Sequence, residues 1–433
     1  MTNDNDNDTR ITAKVGRSSQ KKSREAVREA LAPLRGAAEP YRLVFVYCSI
    51  KHKHADILAE VRRELGDVPI LGCTTTGELS SQGLLTDGLV IAGLASDCTE
   101  AAVGHAERVF DRPDAAARKA VDRAQRALEE LGGPARKHYV CILHTAGFTL
   151  DHAGVEEDVL AAVRDELGND WIVLGGSASD GARFLGSREF AGHRVYEQSV
   201  VLGLIATDLD VHHDMAHGFS PTSRSFPVTE AKDNLVKRID GRLAVDFYAD
   251  LIGVKAKQLT KGLGLLRMTD KVPKFLTAMT QKVGLTPQVI TDRIPFYAYA
   301  VDYPFGVRSE SGSFVLKVPK TITTEGWLEF QTRMDEVAEL QLMQTDSEAM
   351  LSASADAIGA VGRAADHPPR LVLVYECLGR YMYLLKQIDR VFPKIRAATD
   401  AEIVGFFSAA EQGIMEGVEC QSHNYTTSVL GLG

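Results

Sequence analysis

A chain of 433 residues with net charge −9 and 45% apolar residues is long enough for more than one hydrophobic core, and too acidic for a phosphate-rich nucleic acid partner. The longest basic tract is Arg17–Arg24, the N-terminus is polar rather than basic then apolar, and no run reaches membrane-spanning length. These features exclude nucleic acid and membrane as expected partners and predict a soluble, cytoplasmic protein.

Residues 1–19 lack apolar periodicity and are expected to be disordered. Ala26, Val27, Ala30, Leu31 and Leu34 then fall at helical spacing, and Pro33 to Gly36 ends that helix. Arg42–Tyr47 is a β-branched and aromatic run of strand length. Ile57, Leu58, Val61 and Leu65 mark a second helix that Gly66 terminates. Ile70–Glu78, Ile-Leu-Gly-Cys-Thr-Thr-Thr-Gly-Glu, reads as a buried strand delivered to a polar turn at Gly72, and Leu89–Leu94 is a further strand.

This unit of helix, strand, helix, strand-and-turn and strand recurs. In the second copy Ala117, Val121, Ala124 and Leu128 lie on a helix and Tyr139–Leu143 is the strand. Val163-Arg-Asp-Glu-Leu-Gly168 repeats Val61-Arg-Arg-Glu-Leu-Gly66, Ile172–Asp180 is the turn, and Val200–Leu204 closes the unit. The third copy has a helix through Met350, Ile358 and Val361, the strand Arg370–Tyr375, the turn Ile403–Glu411 and the final strand Ser428–Leu432. Residues 211–345 fit no such unit. Ala244, Phe247, Tyr248 and Leu251 predict a helix there, and Phe296–Ala300 and Ser313–Val318 predict antiparallel strands around the Ser309–Gly312 turn. The expected fold is α/β: two domains, 20–220 and 221–433, built from repeated helix-strand-helix-strand-strand units with mixed sheets, the second containing an antiparallel insert.

Gly72–Glu78, Gly405–Glu411, Val228-Thr-Glu-Ala followed by Ile239-Asp-Gly-Arg-Leu-Ala, and His423-Asn-Tyr-Thr-Thr-Ser-Val-Leu resemble the FIST sensory family. The likeness runs from about Gln20 to Gly433. It implies a FIST N-terminal domain over 20–220 and a FIST C-terminal domain over 221–433, acting as a signal-transduction input module for small ligands. A subset of that family is similar to nitric-oxide sensors that bind haem and regulate a partner histidine kinase or cyclic-di-nucleotide enzyme, which makes haem b the implied cofactor. His217-Gly-Phe stands where the family pattern has Gln-Gly-aromatic, placing an imidazole at a family site.

Thr74, Thr75, Thr76 and Glu78 have two readings. Hydroxyls, turn amides and a carboxylate can bind a polar ligand, or they can satisfy the turn's own backbone. Ser408 and Glu411 are what the third copy retains of that set. Glu376, Cys377 and Arg380 follow the third copy's first strand, and Ser49 and His52 the first copy's, at the strand ends where α/β sheets place ligand crevices. Cys377, Arg380 and Asn424 complete the ligand-binding candidates, and His217 and His423 are the candidate haem ligands. An iron ligand needs one free nitrogen and a partner for the other. The six cysteines form no Cys-x-x-Cys pair and read as reduced, mostly buried thiols. No Gly-x-Ser-x-Gly elbow, P-loop or Rossmann fingerprint is present, so no enzyme activity is expected. The function expected is that of a stand-alone sensor for a gas through haem, or for an amino acid or other small metabolite without it, signalling through a separate partner polypeptide, with homo-oligomers of the chain a further option.

Overall fold

The computed structural model describes residues 11–149, 152, 154–181, 183–260, 295–330, 332–335, 337–384, 386–415 and 420–433. The first unit runs β1 (Thr12–Ser18), α1 (Ser23–Leu31), β2 (Leu43–Ser49), α2 (His54–Leu65), β3 (Ile70–Thr75), the hairpin β4 (Glu78–Ser80) and β5 (Gly83–Leu85), and β6 (Leu89–Ala95). The second repeats it as β7 (Thr99–Glu107), α3 (Pro113–Glu130), β8 (His138–Thr145), α4 (Glu156–Leu167), β9 (Trp171–Gly176), the hairpin β10 (Glu189–Ala191) and β11 (Arg194–Tyr196), and β12 (Ser199–Thr207).

The third unit opens with β13 (Val211–Ala216) and is then interrupted by the insert. This holds β14 (Ser220–Lys232), β15 (Leu235–Ile239), β16 (Arg242–Leu243), α5 (Ala244–Leu251), α6 (Ala256–Leu259), α7 (Pro295–Asp302), β17 (Phe305–Arg308), β18 (Phe314–Lys317), β19 (Pro319–Ile322), β20 (Leu328–Phe330) and β21 (Glu339–Gln344), its strands all antiparallel. The unit resumes with α8 (Ser347–Ala364), β22 (Leu371–Cys377), α9 (Leu378–Tyr383), α10 (Val391–Ala398), β23 (Glu402–Ser408), the hairpin β24 (Glu411–Gly413) and β25 (Gln421–His423), and β26 (Thr427–Leu432).

The three units exchange hairpins in a ring. Sheet order β1-β6-β2-β3 is completed by β10-β11 of the second unit, β7-β12-β8-β9 by β24-β25 of the third, and β13-β26-β22-β23 by β4-β5 of the first. In each sheet one parallel pair (β2 with β3, β8 with β9, β22 with β23) sits among antiparallel neighbours. Alternation along the strands sorts the core. Leu43, Phe45 and Tyr47 point inward with Ile142, Leu371, Leu373 and Phe406 into one core shared by the three sheets, whereas Val44, Val46 and Cys48 face α1 and α2. Helices α3 and α4 cover the second sheet in the same way, and α8 and α10 with the insert cover the third. Among the described residues no helix is long and apolar enough to cross a membrane, and all six cysteines are unpaired.

Four sequence expectations change. Thr12–Ser18, placed in a disordered 1–19, form β1 against β6, while residues 1–10 lie outside the described residues. Phe296–Ala300 are helical, in α7, because their aromatic content signals a strand while the burial of Phe296 and Ala300 follows a helical face. Gly72 lies within β3, not at a turn. A Cβ there would stand 1.9 Å from the Val46 carbonyl oxygen, and the equivalent Gly175 and Gly405 meet Leu143 and Val374 at 1.9 and 1.8 Å, so close strand approach is what demands glycine. The boundary at 220 separates β13 from the sheet it belongs to, since Val211–Ala216 pair with Thr427–Leu432.

Where the three sheets meet, the equivalent residues Tyr47, His144 and Tyr375 form a buried polar chain. His144 Nδ1 lies 2.9 Å from the Gly176 carbonyl and must donate to it, so Nε2 accepts from the Tyr47 hydroxyl at 3.1 Å, and Tyr47 accepts from Tyr375 at 3.3 Å. Burial lowers the His144 pKa to about 4, which keeps the ring neutral. Tyr47→Phe therefore orphans two buried groups, whereas Tyr375→Phe orphans none. Urea unfolding is expected to give a loss of about 1–3 kcal/mol for the former and under about 1 kcal/mol for the latter; equal losses would mean the hydrogen-bond chain runs another way.

Candidate functional site

The hydroxyl-rich stretch of the first unit is spent on structure. The Thr74 hydroxyl accepts from Arg188 N–H at 2.9 Å, Thr75 donates to Glu78 at 2.6 Å, and Thr76 shares 2.9 Å with Ser179. Glu78 has no exposed surface, and its other oxygen accepts from Gly88 N–H at 3.0 Å. Ser408 and Glu411 repeat this, with Ser408 donating at 2.5 Å and Thr426 Oγ1 at 2.9 Å. In the second unit the equivalent carboxyl is Glu189, bonded by Ser187 at 2.5 Å and by Ser199 Oγ at 2.9 Å. Register proves the equivalence: Glu78, Glu189 and Glu411 pair with Phe406, Cys73 and Gly176, each one residue past the close-approach glycine. Asp180, at the end of the expected turn, instead accepts from the amides of Arg183, Phe184, Leu185 and Gly186 and so shapes the loop that displaces Glu189 along the chain.

Arg380 is likewise committed. It pairs with Glu376 at 2.9 Å, both 1% exposed, and donates to the Met350 carbonyl at 2.8 Å and to Ser354 at 3.0 Å. Cys377 Sγ accepts from Gly379 and Tyr425 N–H, and burial raises its thiol pKa well above the usual range, which makes it inert. His52 Nδ1 lies 3.3 Å from Ser23 Oγ.

The candidate haem ligands do not fit that group. His217 Nε2 donates to the Phe314 carbonyl and Nδ1 accepts from Phe219 N–H, both at 3.0 Å, so neither nitrogen is free for iron. His423 donates from Nε2 to the Gly413 carbonyl at 3.3 Å. Its Nδ1 has no partner among the described residues, but the ring is wholly buried and borders neither cavity described below. His213 and His217 share no helix face, since His213 lies in β13 and His217 just beyond it. Among the described residues no group of three or more His, Cys, Asp or Glu is placed to hold a metal.

A cavity of about 190 Å³ opens where three parts of the chain meet: the start of α4 (154–158), the exchanged hairpin of the third unit (Ala410, Ser422, Asn424), and the insert (Asp233, Asn234, Lys320, Phe330, Thr332, Arg333). It lies at the carboxyl ends of the parallel strands β8 and β9, the position a mixed α/β sheet leaves for ligands. Of the residues expected at a site from sequence, Asn424 lines it. Glu156 does too, at 6% exposure, its Oε1 accepting from Ser177 at 3.0 Å, and Ser177 in turn accepts from Gln412 Nε2 at 2.8 Å. Burial raises the Glu156 pKa. Behind Thr332 lies Lys317, 6% exposed, donating to the Thr332 hydroxyl at 2.9 Å, with its pKa lowered by burial. Sequence reasoning missed Glu156, because Glu156-Glu157-Asp158 reads as an ordinary acidic first turn of a helix. A larger depression of about 1320 Å³ beside β1, α8 and α10 is lined by small residues and by solvent-accessible charged ones such as Lys14, Asp356, Arg363 and Lys394, with no buried polar group.

Burial pushes Glu78 and Glu411 up to about 8 and Glu189 to about 7. These folded values lie above the unfolded one, so the stability they contribute is full below about pH 4.5 and is lost as pH rises towards 8. The melting midpoint is expected to be lower at pH 9 than at pH 6, and Glu78→Gln, which keeps the shape without the titration, should flatten that slope. An unchanged slope in the variant would show that Glu78 is not the group responsible.

Among solved structures the chain is similar to a cyanuric acid hydrolase from A. caulinodans (14% identity, 45% of this chain and 71% of that one, TM-score 0.26). A second cyanuric acid hydrolase structure is similar over 98% of this chain and 100% of that one (11% identity, TM-score 0.31). Likeness at that level neither assigns nor excludes an activity. An uncharacterised protein of Methanocaldococcus jannaschii is 23% identical over 316 residues, which are 72% of this chain and 54% of the relative, so the chain spans about half the relative's length. Residues 42–242 match the FIST N domain and residues 285–414 the FIST C domain, domains associated with sensory signalling, and the chain therefore belongs to the FIST-domain proteins.

Proposed function

We propose that this protein is a sensory module that binds a small polar metabolite, without haem, in the cavity between α4, the exchanged β24-β25 hairpin and the insert, and that a separate polypeptide reads the bound state. The observation that carries this reading is the composition of that cavity. Three segments far apart in sequence each contribute wall residues to it, among them Glu156, whose buried carboxyl is supported from behind the wall by Ser177 and Gln412. A ligand touching all three has differential affinity for arrangements that differ in their relative placement, which is what a sensor requires. Binding fits better than catalysis. The Ser177 hydroxyl is bonded to Glu156 and Gln412, and no histidine completes a nucleophile–base pair in those bonds.

Two measurements test this. In a thermal-shift screen of small polar metabolites, a ligand near a hundred times its Kd is expected to stabilise the protein by about 2.7 kcal/mol. Ala410→Met, which fills the cavity from its wall, should abolish the stabilisation without unfolding the chain. Protein reconstituted with haem is expected to show no stoichiometric Soret band. A stoichiometric band lost in His217→Ala would overturn the haem-independent reading, and ligands that stabilise wild type and Ala410→Met alike would remove the cavity from it.

A further inference from the structure

The charges around the cavity are unequal and unequally engaged. Four carboxyls line it, Glu156, Glu157, Asp158 and Asp233, against two cations, Lys320 and Arg333. Both cations have carboxylate partners already: Arg333 lies 3.1 Å from Asp158, with its backbone N–H on Glu157 at 2.9 Å, and Lys320 lies 3.7 Å from Glu329. Glu156 is the exception. It is the most buried of the four, and among the described residues its side chain has a hydroxyl neighbour, Ser177 on Oε1, but no ion-pair partner. Burial raises the pKa of this acid, Lys320 opposes that only through space, and an ammonium group arriving at the carboxyl would relieve the cost of charging it there. The remaining wall, with the Thr332 and Ser422 hydroxyls and the Phe148 and Phe330 rings, suits the uncharged body of a small molecule.

Resting on the sensory reading above, we propose that this cavity takes a ligand bearing a protonated primary amine, whose ammonium group sits against the Glu156 carboxyl as that carboxyl gives up its proton. The balance is simple. The fraction of Glu156 that is neutral before binding becomes the carboxylate of a carboxylate–ammonium pair, and the proton it carried passes to bulk water. Ser177 and Gln412 hold the carboxylate in place from the side away from the cavity. Binding therefore releases protons, and affinity rises with pH until the ligand's own amine begins to lose its proton.

The test is titration calorimetry of the full chain near neutral pH, repeated in two buffers of different ionisation enthalpy. The probes are histamine, tyramine and putrescine, each against the analogue with a hydroxyl in place of the amine. At least one amine is expected to bind with net release of protons, and its hydroxyl analogue about tenfold or more weaker, as the loss of one charged hydrogen bond implies. Glu156→Gln should abolish both the proton release and the preference for the amine, while Glu156→Asp keeps the release at reduced affinity and guards against a folding defect in the glutamine variant. Equal binding of amine and alcohol, proton release persisting in Glu156→Gln, or no binding by any amine overturns the proposal. A neutral or anionic compound that stabilises wild type but not Ala410→Met overturns the amine class alone and leaves the cavity as the ligand site. If no compound distinguishes wild type from Ala410→Met, both fall.

Discussion

The cyclic exchange of hairpins is the constraint on which the rest of this structure depends. A hairpin of three-residue strands such as Glu78–Ser80 with Gly83–Leu85 has no stability of its own, and it persists because it is docked on a neighbour's sheet. Each is fastened at its base by a carboxyl that no water reaches, held between a hydroxyl of its own turn and the start of its unit's last strand: Thr75 and Gly88, Ser187 and Ser199, Ser408 and Thr426. Removing such a carboxyl would leave buried donors unanswered, and keeping it charged would cost more than its hydrogen bonds return. The upward shift that burial gives each pKa eases this conflict, since the neutral acid keeps the hydrogen bonds at a smaller desolvation cost. No unit's sheet is complete without the next unit, so the three form one core rather than a row of separable pieces.

The same symmetry explains the centre. Once three equivalent first strands face one another, position 47 and its counterparts 144 and 375 come together, and bulky polar side chains there must satisfy each other. Two tyrosines and one histidine do so only because the histidine has a second acceptor, the Gly176 carbonyl, that fixes its tautomer. The close-approach glycines Gly72, Gly175 and Gly405 sit one register step away and let the parallel strands pack tightly enough for the rings to meet.

What was legible in the sequence was what is local. Helical spacing at Ala26–Leu31 and Ile57–Leu65, and the apolar runs at 42–47, 139–143 and 370–375, place helices and strands because a 3.6 or 2.0 period is written within a dozen residues. Whom the hairpins pair with was not legible, since three-residue strands carry too little pattern to name a partner more than 300 residues away, as Leu79 and Gly405 are. Thr12–Ser18 escaped because an edge strand alternating Lys14, Val15 and Arg17 resembles a polar tail. Glu189 escaped because a loop organised by Asp180 moves it away from its glycine. The threonines at 74–76 were visible, but their polarity does not say whether water, ligand or backbone answers them, and here it is the protein itself.

Divergence between the units accounts for where the cavity lies. In the first unit the chain leaves β2 at Ser49 and re-enters a helix at His54, and the space between is taken by His52 against Ser23 and by His54 beside the Phe190 ring. In the third, α9 starts directly after Cys377 and the Arg380 guanidinium fills the position, closed by Glu376, Met350 and Ser354. In the second, the connection from Thr145 to Glu156 is the longest of the three, and the cavity lies at its end, beside the start of α4. The room so left is bounded by a hairpin from the third unit and roofed by the insert, which enters the chain between β13 and α8 where the other units have a short link. A ligand-sized space thus lies at one of three equivalent positions, where one repeat has a longer loop and another carries an insert that covers it, and the buried acid at that position faces an opening where Arg380 faces Glu376 in the third unit.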